Sequence, residues 1–152
     1  MKKISLGLIL LGLVAGGCVY KGVEWQVYTP ETFDAAMKSG QPTLACFYAA
    51  WCPTCYEMKE KTFTDARVIA ELMPFQRIRV DMSYKYSPKI QAIGRQFGIQ
   101  GYPTLIFYDP SGNEIRDLRV AGFLSADELL SIISEIRSRY PAIAPAPAVS
   151  PS

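Results

Sequence analysis

The sequence predicts an α/β fold in one domain, a central mixed β-sheet flanked by helices on both faces. The first observation is the run at residues 43–49, apolar almost throughout and of strand length, the pattern of a strand covered on both sides. The second is alternation: segments with apolar residues three and four apart follow strand-like segments in turn, which is how helices come to cover a sheet. The third is size. A chain of 152 residues with 49% hydrophobic side chains can bury one core without a disulfide scaffold and has little room for a second.

Residues 23–28 carry β-type side chains and open the sheet. Thr29 suits a helix N-cap with Pro30 at the first helical position; Phe33, Ala36 and Met37 give that helix an apolar face, and Gly40 ends it. The strand at 43–49 follows, then a helical stretch from Tyr56 to about Phe63. Thr64 and Asp65 can cap a further helical segment through Leu72. Residues 75–81 form a second buried strand with Ile78 and Val80 on one side, and Ser87 and Pro88 start a helix whose apolar positions Ile90, Ile93 and Phe97 keep helical spacing. Residues 104–108 are a strand, residues 109–112 a turn through Pro110 and Gly112, and residues 114–120 the returning strand. Ser125 caps a last amphipathic helix carrying Leu129, Leu130, Ile132, Ile133 and Ile136.

The ends read differently. Lys2 and Lys3, a short apolar run and the small residues Ala15, Gly16 and Gly17 make residues 1–17 an export signal, too short in its apolar part to span a bilayer comfortably. Small residues ahead of Cys18 resemble a bacterial lipoprotein signal, which implies a lipidated Cys18 at the mature amino terminus. Ala15 stands where that pattern usually has a large aliphatic residue, and Ala15 with Gly17 also suits ordinary signal cleavage, which would leave Cys18 a free thiol. The folded domain is expected over residues 18–140, and the Pro- and Ala-rich residues 141–152 as a disordered tail.

Composition excludes several classes. Without residues 1–17 the basic and acidic side chains balance, so nothing provides the basic stripe a nucleic-acid binder needs. The chain has no histidine, which removes histidine-based triads, histidine-ligated zinc and haem with a histidine axial ligand.

The chemistry that remains centres on Trp51-Cys52-Pro53-Thr54-Cys55, at the junction of a buried strand and a helix. Cysteines three apart in a first helical turn share one face and lie close enough to bridge. Cys52 at the helix N-terminus meets unpaired N–H groups and the positive end of the dipole, which favour a thiolate. Cys55, one turn inside, is the thiol that resolves a mixed disulfide. Three other readings are open. A structural disulfide here would close a very small ring; a zinc half-site would need Cys18 and Cys46 as well; a Cu(I) site would use the thiolates with Met58.

With Gly101-Tyr102-Pro103-Thr104 ahead of a later strand, these residues resemble the thioredoxin superfamily. More closely, the chain is similar to the carboxy-terminal periplasmic domain of the disulfide interchange reductase DsbD and its single-domain relatives. The similarity runs through Phe47-Tyr48-Ala49-Ala50-Trp51-Cys52, Glu57-Met58, Lys61-Thr62-Phe63-Thr64-Asp65, Arg79-Val80-Asp81, Phe97-Gly98-Ile99-Gln100-Gly101-Tyr102-Pro103-Thr104 and Gly122-Phe123-Leu124-Ser125-Ala126-Asp127, over residues 25–138.

The resemblance implies a thioredoxin fold and a periplasmic or envelope-facing thiol–disulfide oxidoreductase. It would act on disulfide-containing or dithiol proteins with no cofactor beyond the Cys52–Cys55 pair. A membrane thiol reductase would be its electron donor, and a reducing or interchange role is preferred. Potentials in such pairs differ by about 150 mV between thioredoxin and DsbA, and Pro53 and Thr54 do not set the value. The alternative class is a lipoprotein of the same fold that binds Cu(I) or a partner without redox turnover. Val19 after Cys18, rather than an aspartate, leans by resemblance to lipoprotein sorting toward the outer membrane.

The resemblance further implies a cis bond before Pro103, leaving the backbone of Tyr102 to pair with an extended substrate; an ordinary strand-start proline fits the periodicity equally well. Trp51 is expected as a lid over the cysteines. Two positions depart from the family. Cys46 stands where a buried aspartate is usual, and Lys59 where the DsbD domain tends to have glutamate. Deprotonation of Cys55 then falls to water or Glu57. Cys46 itself is read as a small buried hydrophobe, or as a partner for an alternative disulfide with Cys55.

Overall fold

The computed structural model describes residues 22–143. The expected signal segment, Cys18 and the tail from residue 144 lie outside the described residues. In chain order the elements are β1 (Gln26–Val27), α1 (Pro30–Met37), β2 (Thr43–Tyr48), α2 (Pro53–Lys61), α3 (Ala66–Leu72), β3 (Gln76–Asp81), α4 (Pro88–Phe97), β4 (Thr104–Tyr108), a 3-10 turn (Arg116–Leu118), β5 (Val120–Ala121) and α5 (Ala126–Arg139). The described strands form one mixed sheet in the order β1-β3-β2-β4-β5. β1 and β2 pair parallel with β3, and β4 pairs antiparallel with β2 and β5.

Period-two alternation sends β2 and β4 side chains to two cores. Leu44, Cys46, Leu105 and Phe107 pack with Met58, Val68, Leu72, Leu129, Ile133 and Ile136 from α2, α3 and α5. Ala45, Phe47, Ile78, Val80 and Ile106 pack with Ala36, Ile93 and Phe97 from α1 and α4. Both faces of β2 are therefore dry, which is why its sequence is apolar from Leu44 to Phe47. The helices start where capping chemistry dictates. The Thr29 hydroxyl accepts the Thr32 N–H at 3.1 Å, and the Ser125 hydroxyl accepts the Glu128 N–H at 3.3 Å while Glu128 returns a bond to the Ser125 N–H.

The structure departs from the sequence expectation in three places. The strand expected at residues 114–120 is broken. A lone bridge joins Tyr108 to Glu114, the chain turns through the 3-10 segment, and only Val120–Ala121 pairs again. The cause is packing: Ile115 is buried and Leu118 lies against the same core, and a three-residue turn puts positions i and i+3 on one side, which a strand cannot. The strand expected at 23–28 shortens to Gln26–Val27, because Val23 and Trp25 turn to pack beside Phe63, the Trp25 and Phe63 rings meeting edge-on at 4.9 Å. The core also continues past residue 140, since Ile143 is buried in it.

Candidate active site

Strand β2 ends at Tyr48 and delivers the chain to α2 through Ala49, Ala50 and Trp51. Pro53 occupies the first helical position and Cys52 is the N-cap, so α2 begins three residues earlier than the helical periodicity indicates. Proline cannot supply an N–H that would be orphaned there anyway, and a sulfur takes over the capping task. The Cys52 Sγ accepts the Cys55 N–H at 3.2 Å. The Cys52 thiol in turn donates to the Tyr102 carbonyl at 3.5 Å, and the Tyr102–Pro103 bond is cis. Cys46, Cys52 and Cys55 all carry free, buried thiols.

Around the pair, Trp51 is 54% exposed and held from two sides. Its indole N–H donates to the Ser83 carbonyl at 2.9 Å, and its ring meets Tyr102 edge-on at 5.7 Å. These two contacts fix the ring at the entry to α2, next to the cysteine pair in sequence. The Ser83 hydroxyl also accepts the Ala50 N–H at 2.7 Å, tying the loop after β3 to the approach to α2. Thr54 follows Pro53 in the first turn of α2, half-buried.

Beside Cys55 lies a cavity of about 250 Å3, bounded by Cys46, Tyr48, Met58, Lys59, Phe63 and Arg79 among others. Among the described residues no carboxylate lines it. Arg79 lies opposite Cys46 across the β2–β3 ladder, and its guanidinium stacks on the Tyr48 ring 3.8 Å from the centroid. Burial, then the hydrogen bond with Cys52, pushes the Cys55 thiol up to about 12, against which the charge of Arg79 pulls down. Burial first, and then the neighbouring Cys55, likewise pushes Cys46 up to about 12.

Glu57, named by the sequence as an acceptor for the Cys55 proton, is instead half-exposed and ion-paired to Lys61 at 2.8 Å. Residues two apart on a helix do not face each other, so Glu57 points away from the thiol it was expected to serve. Met58 is buried against the core. Among the described residues no three cysteine or acidic side chains gather into a metal-holding group. Arg79 and Tyr48 were given no role from sequence. Part of the signal was there: with Ile78 and Val80 facing one side of β3, period two places Arg79 on the other, and only the β2–β3 pairing sets it beside Cys46.

A sheet of this topology with a cysteine-capped helix beside a cis-proline defines the thioredoxin class of domain. The chain belongs to the family described as "Thioredoxin-like domain", which matches residues 29–137. It is 36% identical over 117 residues, 77% of its length, to the thiol:disulfide interchange protein DsbD of Ralstonia nicotianae. To the DsbD of Haemophilus influenzae it is 32% identical over 113 residues, 73% of its length. The chain spans 19% of the length of these relatives. Among solved structures it superposes on the oxidised carboxy-terminal domain of Neisseria meningitidis DsbD with a TM-score of 0.60 and 23% identity, covering 74% of this chain and 99% of that one. A Thermus thermophilus thioredoxin superposes with a TM-score of 0.62 and 24% identity, covering 76% and 87%.

Proposed function

We propose that this protein is an exported thiol–disulfide oxidoreductase of the cell envelope, acting on protein disulfides through Cys52 and Cys55. The observation that carries the reading is the position of the Cys52 sulfur. It caps a helix, bonded to the Cys55 N–H at 3.2 Å, and faces the Tyr102 carbonyl beside Pro103. Its relationship to interchange proteins supports the same reading.

In the reducing direction, the Cys52 thiolate attacks one sulfur of a substrate disulfide, and the other leaves as a thiolate that takes a proton from water. Cys55 then loses its proton and attacks the Cys52 sulfur. The mixed disulfide breaks, the second substrate thiolate leaves, and Cys52 and Cys55 end as a disulfide. Two electrons have passed to the substrate, and a dithiol donor, a membrane thiol reductase in this proposal, restores the pair. Tyr102 and Pro103 present backbone to the incoming segment, with Trp51, Pro53 and Thr54 around the reacting sulfur. Cys18 serves as a lipid anchor to a membrane, the outer membrane by preference.

Catalysed reduction of insulin disulfides tests the reading. It is expected to be present in the wild type and absent in Cys52→Ala. Tight Cu(I) binding with no exchange would replace it with the carrier alternative.

A further inference from the structure

Attack by Cys55 requires a thiolate at a buried position, and burial opposes one. The groups facing that thiol come from every neighbouring element. Cys46 and Tyr48 lie on β2, Arg79 on β3, Cys52 and Lys59 on or beside α2, and Tyr102 ahead of β4, with Asp81 on β3 reaching Tyr48 rather than the thiol. Asp81 accepts the Ser83 N–H at 2.9 Å and does not border the cavity. Lys59 pairs with its neighbour Glu60 at 3.1 Å at the rim. Arg79 makes no ion pair among the described residues; its guanidinium carbon lies 3.8 Å from the centroid of the Tyr48 ring, and Arg79 borders the same cavity as Cys55. A guanidinium over a ring keeps its charge, and that charge acts on a neighbouring thiol across the cavity.

We propose that Arg79 is the positioning residue of the resolving step, its cation holding the Cys55 sulfur as a thiolate while solvent in the cavity takes the proton. The inference rests on the exchange reading above and deepens it. A cavity of about 250 Å3, largely apolar but bordered by Tyr48, Tyr56, Lys59 and Arg79, exceeds the space of roughly 10–15 Å3 that a water needs. The step balances simply: the Cys55 S–H proton passes to water and out, the Cys55 sulfur bonds to the Cys52 sulfur, and the substrate sulfur leaves with the electron pair of the broken bond. Cys46 beside Arg79 adds no acceptor, because its own thiol is buried and protonated. The cavity thus promotes ionisation by charge, with no carboxylate to take the proton.

Two measurements decide it. In the first, a mixed disulfide between Cys52 and a peptide thiol is formed and its release by Cys55 is timed. Arg79→Gln is expected to slow release about tenfold at neutral pH, the size of one unit of thiol pKa. Arg79→Lys, which keeps the charge, is expected to recover most of the rate. The second is independent of exchange: alkylation of Cys55 by iodoacetamide against pH in a Cys52→Ala background. Arg79→Gln is expected to move the midpoint to higher pH, and Arg79→Lys to return it. If Arg79→Gln leaves both readouts unchanged, or if Arg79→Lys is as impaired as Arg79→Gln, Arg79 serves packing alone and the inference fails. If no mixed disulfide forms in the wild type, the exchange reading fails, and the alkylation profile still decides whether Arg79 holds the thiolate.

Discussion

The Cys52 sulfur and the Tyr102 carbonyl oxygen lie 3.5 Å apart, although fifty residues of chain separate them. The contact joins the start of helix α2 to the loop ahead of β4, and so ties together the sulfur and the backbone that the proposed exchange would use. Trp51 reinforces it through Ser83 on one side and Tyr102 on the other.

That mounting predicts a graded effect at Trp51. Trp51→Phe keeps an aromatic ring against Tyr102 and loses the bond to Ser83; Trp51→Ala loses both. One hydrogen bond is worth about 0.5–1.5 kcal/mol, so the phenylalanine variant should lose about two- to tenfold in insulin reduction and the alanine variant more. Initial rates at fixed substrate check the order.

Leu129 on α5 is fully buried in the core that also holds Met58 of α2. Leu129→Ala is expected to cost about 2–5 kcal/mol, transfer loss plus residual cavity. Urea denaturation should show a lower midpoint with an unchanged slope.

Gly112 and Gly40 separate two costs of a left-handed backbone. At Gly112, with φ of +82°, an added Cβ would stand 2.8 Å from the Met37 carbonyl oxygen, a backbone atom that cannot swing aside. At Gly40, with φ of +71°, the same Cβ meets nothing within 4 Å. Gly40→Ala should therefore cost about 1–2 kcal/mol, the conformational term alone. Gly112→Ala should cost clearly more, and parallel thermal melts would read the difference.

Acid should weaken the fold through its caps. The Ser125 N–H and hydroxyl, bonded to the Glu128 carboxylate at 2.8 and 2.7 Å, hold its carboxyl below the usual range. Hydrogen bonds from the Arg67 guanidinium, followed by its backbone N–H, do the same for Asp65. Both folded values lie below the unfolded ones. Their contribution is thus complete above the ordinary carboxylate range, about pH 4, and drains away as pH falls through the folded values. The melting temperature is expected to drop on that acid side, less steeply in Glu128→Gln, whose neutral amide has no such proton to gain.

The class of fold, the neighbouring Cys52 and Cys55 and most helix starts were legible along the chain. These rest on patterns local in the chain: β2 is apolar from Leu44 to Phe47 because both its faces are dry, Thr29 and Ser125 accept nearby backbone N–H groups, and Pro30 lacks an N–H that would have had no partner. The sequence also placed Tyr102 and Pro103 near the pair, through resemblance to a family rather than through spacing. Tertiary structure alone decided what surrounds the second sulfur. Glu57 is close to Cys55 in sequence but points away from it, whereas Arg79, on another strand, faces the same cavity as Cys55. Likewise Ile115 and Leu118 broke an expected strand because both had to reach one core. Neighbourhood in a cavity is set by strand pairing and helix packing, and neither is written in the order of residues along the chain.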